Sequence, residues 1–148
     1  MQKNILSLDL GRKSLGISIS RTGIFVTPID NFRFPLDRYD VAIKRVLEVM
    51  EIEKVETIII GLPRFKSGDL SEMSHIVLDF VPKLEEAIKN TYKKEMKVIT
   101  VDEQQSTLEA SAILHENNIS AKKQKKSIDC VASMVILERY LRSLGQIV

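Results

Sequence analysis

Residues 6–20 have the sequence LSLDLGRKSLGISIS, in which two apolar segments flank a turn that contains Gly11. The second segment alternates apolar and polar residues from Leu15 to Ser20, which is typical of a strand with one buried face. A third apolar segment, residues 24–32, follows at once. The chain is therefore predicted to open with an antiparallel meander of three strands.

The rest of the sequence alternates between helical and strand patterns. Strands are predicted at Thr57–Ile60 and Lys97–Val101, and helices over residues 39–50, from Glu72, from Ser106, and from Ser127 or Ile128 to about Ser143. We expect Asp69 and Glu72 to form a capping box and Pro82 to kink or interrupt the second helix. Alternation after an opening meander indicates an α/β fold of the ribonuclease-H-like type, with a mixed sheet covered by helices.

Size and composition limit the class of protein. The chain has 148 residues, so residues 1–148 are expected to form one domain. The single cysteine, Cys130, excludes an internal disulfide framework and favours a reducing compartment. No stretch is apolar enough to span a membrane, so a cytoplasmic protein is expected. The net charge of +2 is too small to establish a nucleic-acid partner by itself.

Three acidic residues lie at the ends of predicted elements. Asp9 follows the first strand, Glu103 closes the strand at 97–101, and Asp129 opens the last helix. Each could simply stabilise a turn or a helix start. Together they predict a catalytic centre that holds two Mg²⁺ or Mn²⁺ ions about 4 Å apart, since hard cations prefer carboxylate oxygens. Repulsion between the carboxylates should raise at least one pKa, and Asp102 should point away from the centre.

Basic residues flank two of these acids. Lys13 lies in the turn after Asp9, and a run of four lysines precedes Asp129 in what is expected to be a mobile loop: Lys122, Lys123, Lys125 and Lys126. Such a run can be a solvated connection. Its position next to a predicted metal ligand favours contact with the phosphates of a nucleic acid.

Four segments resemble the YqgF family of pre-16S rRNA nucleases, which are relatives of the RuvC Holliday-junction resolvases. They are LSLDLGRKSLGISIS at 6–20, IIIGLPRFKSGDLSEMS at 58–74, VITVDEQQSTLEA at 98–110 and KKQKKSIDCVASMVILERYL at 122–141. The resemblance implies a ribonuclease-H-like, metal-dependent phosphodiesterase, and by position it assigns the acidic roles to Asp9, Glu103 and Asp129. Gln104 stands where the family usually has arginine, and glutamine cannot make the two-pronged phosphate contact of an arginine.

Three functions remain open on the sequence. The first is a nuclease that processes the 5′ end of pre-16S rRNA, with RNA favoured over DNA and pre-ribosomal particles as partners. The second is a Holliday-junction resolvase, which would need two symmetric cuts and hence a homodimer rather than a monomer. The third is a non-catalytic RNA-binding module that retains the fold. Phosphate contacts and metal ligands serve RNA and DNA alike, so the sequence does not separate these functions.

Overall fold

A computed structural model describes residues 1–64, 67, 69–103 and 121–148, except the side chains of 121–129. The strands are β1 (Ile5–Leu10), β2 (Ser14–Ser20), β3 (Thr27–Arg33), β4 (Thr57–Pro63) and β5 (Val98–Glu103). The helices are α1 (Tyr39–Ile52), α2 (Glu72–Tyr92) and α3 (Ala121–Ser143). In the described part of the chain, no helix has the length and apolar character required to cross a membrane.

The strands form one mixed sheet in the order β3-β2-β1-β4-β5. The pairs β1–β2 and β2–β3 are antiparallel, whereas β1–β4 and β4–β5 are parallel. The predicted opening meander and mixed sheet are therefore confirmed. Because β1, β4 and β5 are parallel, their carboxyl ends meet at one edge of the sheet.

The two faces of the sheet carry different helices. Even-numbered residues of β1 and β4, such as Leu8 and Ile60, belong to the large apolar cluster shared with α1 and α2. Odd-numbered residues face α3, where Ile5 and Ile59 pack in a second cluster with four of its side chains: Ile136, Leu137, Tyr140 and Leu141. Period-two alternation along each strand thus separates the two layers. We call the second side the α3 face.

Two details of the central elements differ from the prediction. β3 begins at Thr27 rather than Ile24, because the backbone N–H groups of Ile24 and Phe25 donate to Thr22 Oγ1 in a turn. Helix α2 continues through Pro82 without interruption. Phe80 and Leu84, which flank the proline, are buried, and this tertiary packing compensates for the missing backbone hydrogen bond.

The predicted capping box of α2 is wrong in its residues. Ser71 and Ser74 form it: Ser71 Oγ accepts from the Ser74 N–H at 3.2 Å, and Ser74 Oγ accepts from the Ser71 N–H at 3.1 Å. Asp69 instead accepts a hydrogen bond from Ser67 Oγ at 3.0 Å. The two serines satisfy the N–H groups of the cap and of the third helical position, which a predicted box of Asp69 and Glu72 would have done two residues earlier.

The lysine run is helical, so its prediction as a loop is wrong. Helix α3 begins at Ala121, six or seven residues before the predicted start at Ser127 or Ile128. The segment AKKQKK consists entirely of strong helix formers, and this intrinsic preference extends the helix backwards over the charged residues. The helix predicted from Ser106 lies outside the described residues.

Candidate metal centre at the carboxyl ends of the parallel strands

Asp9 lies near the carboxyl end of β1, on the α3 face. Two residues earlier, Ser7 Oγ donates to the carbonyl oxygen of Ser133 in α3 at 2.7 Å, and strand alternation places Asp9 on the same side. The residue is only partly exposed to solvent. This burial raises the pKa of Asp9 from 3.8 to about 6. The direction is the one predicted, and burial is the cause that the described part of the chain shows.

Glu103 ends β5 on the same face, and its side chain lies across Gly61 of β4. The Oε2 atom of Glu103 is shielded from solvent. A Cβ atom on Gly61 would collide with this oxygen and would approach Ile136 Cδ1 of α3 to 2.5 Å. The absence of a side chain at Gly61 therefore creates the space that Glu103 occupies. The sequence around Gly61 indicates the end of a buried strand but gives no sign of this role.

Asp9 and Glu103 both lie near Gly61. Glu103 pairs with Pro63, two residues beyond Gly61 on β4, and its side chain extends back over Gly61. Leu8 of β1 pairs with Ile60 of β4, so the next position along places Asp9 beside Gly61. Neighbouring strands are about 4.8 Å apart, which puts β1 and β5 about 10 Å apart across β4. Two acidic side chains that extend over a glycine can bridge much of that distance. The sheet thus brings together two of the three acids.

Asp102 lies on the opposite face from Glu103. It accepts a hydrogen bond at 2.8 Å from Arg64 Nε, and 68% of its side chain is exposed. Of Asp129 the structure gives the backbone alone, within α3. Among the side chains that are described, no set of three histidine, cysteine or acidic residues is arranged to hold a metal ion. A three-acid centre therefore stays a prediction.

The turn between β1 and β2 is fixed by its neighbours. The N–H of Asp37 donates to the Arg12 carbonyl at 2.9 Å, and the N–H of Phe34 donates to the Lys13 carbonyl at 2.9 Å. Arg12 binds the Asp37 carboxylate through Nε and Nη2, at 3.0 and 2.9 Å. This pairing holds the pKa of Asp37 below its usual value. Arg12 is thus engaged with Asp37, whereas Lys13 is exposed at the edge of the site.

The fold and the acidic strand ends define a ribonuclease-H-like α/β protein. The yeast mitochondrial Holliday junction resolvase has a similar fold, with a TM-score of 0.53 and 15% identity over 97% of this chain and 80% of the resolvase. At that identity the likeness concerns the fold alone.

The chain belongs to the RuvX family, described as Holliday junction resolvases, whose family model matches residues 3–143. Two relatives bear the name of a candidate pre-16S rRNA nuclease. The protein of Malacoplasma penetrans is 30% identical over 97% of this chain and 96% of its own length. The protein of Onion yellows phytoplasma is 34% identical over 92% of this chain and 87% of its own length. The predicted resemblance is confirmed over nearly the whole chain.

Proposed function

We propose that residues 1–148 form one cytoplasmic, metal-dependent nuclease domain that hydrolyses phosphodiester bonds at the 5′ end of pre-16S ribosomal RNA. The observation that carries this proposal is the placement of Asp9 and Glu103 on one face of the sheet, with Asp9 beside Gly61 and the Glu103 side chain over it. The names of the relatives support the choice of substrate. The family description supports the reaction class.

The donor set fits a hard divalent cation. Carboxylate oxygens are the ligands that Mg²⁺ and Mn²⁺ prefer. Burial opposes the ionised form of Asp9, and a bound cation would restore the balance in favour of that form. Asp9 and Glu103 would hold the ions, which supply an activated water and stabilise the charge that develops on the phosphate.

The contacts of α3 support Asp129 as the third ligand. Helix α3 runs in the opposite direction to β1, since Ile5 belongs to a cluster with the later residues 136–141 of α3 while Ser7 contacts Ser133. Position 129 precedes Ser133 by four residues, about 6 Å along a helix, and Asp9 follows Ser7 by about 6.6 Å along the strand. From these spacings we expect the backbone of Asp129 to lie level with Asp9.

Lys13 and the lysine run are proposed to bind the phosphate backbone of the RNA. Changing all four lysines of the run to alanine should weaken RNA binding broadly across sequences, because phosphate contacts carry no base information. Each lost contact should also reduce the slope of log affinity against log salt by about 0.7–0.9. The test is to measure RNA affinity at several salt concentrations for the unmodified protein and for the variant. The variant carries alanine in place of Lys122, Lys123, Lys125 and Lys126.

The matched control changes four exposed lysines elsewhere to alanine and lowers the net charge equally. These are Lys54, Lys83, Lys94 and Lys97. The control should leave the salt slope unchanged. Equal slopes for the run variant and the unmodified protein would show that the run is merely solvated.

A cleavage assay tests the function itself. The pure protein is incubated with ribosomal RNA precursor and with four-way DNA junctions, in Mn²⁺, in Mg²⁺ and in chelator. We expect the precursor to be cut at its 16S 5′ end when either ion is present, and to remain intact in chelator.

The same assay separates the alternatives. Paired symmetric cuts in the junction, with intact precursor, would establish the resolvase function that the family description favours. Binding of RNA without ion-dependent cleavage of either substrate would establish a non-catalytic binding module.

A further inference from the structure

Three serines form a buried hydroxyl cluster between the sheet and α3. Ser7 of β1 and Ser18 of β2 are direct cross-strand partners, and Ser133 of α3 lies over both. All three are fully buried. We call them the serine cluster. An apolar contact would suffice to bury this part of α3, so the hydroxyl groups require another explanation.

The proton of each hydroxyl can be assigned from the geometry. Ser133 Oγ donates to the carbonyl oxygen of Cys130 at 2.6 Å. Since a serine hydroxyl has one proton, Ser18 must be the donor in its 2.6 Å contact with Ser133 Oγ. Ser7 Oγ donates to the Ser133 carbonyl at 2.7 Å. Both strands thus donate to a single turn of the helix.

These hydrogen bonds restrict the position of α3 along the sheet. Apolar packing is non-directional and tolerates a small shift of one element past another. Hydrogen bonds are directional, and in a buried setting a broken one leaves polar atoms unsatisfied. The cluster therefore favours one register of α3 on β1 and β2.

The serine cluster adjoins the proposed metal centre on both sides. Ser7 precedes Asp9 by two residues on the same face of β1, and Cys130 directly follows Asp129. We propose that the serine cluster is a positioning device, which fixes the separation between Asp9 and the backbone of Asp129 through the register of α3. This inference rests on the proposed function, because it takes both acids as metal ligands.

The test measures metal binding directly. In the double variant Ser18→Ala/Ser133→Ala, both partners of the hydrogen bond between Ser18 and Ser133 are removed, so neither hydroxyl is left without a hydrogen-bond partner. We expect Mn²⁺ affinity, measured by titration calorimetry on the full chain, to fall by about 10- to 100-fold, the usual effect of losing an interaction that orients a metal ligand. The single variant Ser7→Ala should lower Mn²⁺ affinity less. It removes one donor to the Ser133 carbonyl, and that carbonyl remains part of the helix backbone.

Ser20→Ala is the matched control. Ser20 is as buried as Ser18 and lies on the same face of β2, but its hydroxyl accepts a hydrogen bond from the Gly23 N–H at the far end of that strand. The control should retain wild-type Mn²⁺ affinity. Thermal unfolding without metal checks that each variant is folded; if the double variant is not, Ser7→Ala decides the matter.

The outcomes separate the two proposals. Wild-type Mn²⁺ affinity in a folded double variant, or in Ser7→Ala when the double variant does not fold, would overturn the positioning role. An equal loss in Ser20→Ala would overturn it as well, since the effect would then be general destabilisation. If the unmodified protein binds no Mn²⁺, the proposed metal centre itself fails.

Discussion

Changing Asp9 to asparagine is expected to lower RNA cleavage by about 10³-fold or more while making the metal-free protein more stable at neutral pH. Asparagine has nearly the same shape but no charge, so it removes a metal ligand without leaving a cavity. A ligand that holds the ions against the phosphate acts mainly in the transition state, and the loss should therefore appear in kcat. Single-turnover cleavage at saturating RNA measures it.

The stability effect follows from the pKa of Asp9, which is about 6 in the folded protein against an ordinary 3.8. Below about pH 3.8 the carboxyl is protonated in both the folded and the unfolded chain, and it imposes no penalty. Between the two pKa values the unfolded chain loses the proton first, so the free energy of unfolding falls as pH rises. Above about pH 6 the whole penalty, on the order of 3 kcal/mol, is present.

Denaturant unfolding in chelator at pH 4 and pH 8 therefore gives a clear comparison. Asp9→Asn should nearly match the unmodified protein at pH 4, where most of the penalty is absent, and exceed it clearly at pH 8; added Mn²⁺ should stabilise only the unmodified protein. Asp102→Asn is the matched control, because that acid is exposed on the opposite face and should affect neither stability nor cleavage strongly. An Asp9→Asn protein that fails to fold would show that the acid is structural.

Gly61→Ala should reduce cleavage by about 100-fold and the free energy of unfolding by about 1–3 kcal/mol. The added methyl group would collide with Glu103 Oε2 and press on Ile136 of α3. Glu103 must then leave its place, or the helix must rise from the sheet. Cleavage kinetics and denaturant unfolding measure the two effects separately.

Gly145→Ala provides the control for stability alone. Gly145 has a φ of 73°, and no atom of the described residues lies within 4 Å of the place that a methyl group would take, so alanine there strains the backbone without touching the site. It should cost about 1 kcal/mol and leave kcat unchanged. If Gly61→Ala is as active as this control, Glu103 does not need its place over Gly61.

Local patterns predicted the sheet and the acids at its edge well. The alternation of Leu15, Ile17 and Ile19 reflects which side of a strand is buried, and this follows from the sequence alone. Asp9 and Glu103 could be found because each ends an apolar strand. Asp129 could be placed on α3, but the approach of its side chain to the others depends on tertiary packing.

Three features were not predicted from sequence patterns, and each has a physical cause. Gly61 lies within β4, although glycine favours the start of a loop. Its role could not be predicted, because a glycine in the sequence does not indicate which side chain will lie over it. Arg12 could not be matched with Asp37, because twenty-five residues separate them in sequence and only the folded chain brings them together. The lysine run was predicted as a loop on the basis of its charge, although its helix propensity was the stronger influence on its backbone.

The attachment of α3 to one face of the sheet also affects when the protein can work. Synthesis proceeds from residue 1, so β1, β4 and β5 leave the ribosome before the segment 130–141 that covers Ile5 and Ile59. Until that segment arrives, this side of a nascent chain is open to water, and Asp9 lacks the surroundings that raise its pKa. Helix α3 completes both the second apolar layer and the proposed ligand set. In the nuclease that we propose, the metal centre would therefore be incomplete until α3 has packed against the sheet.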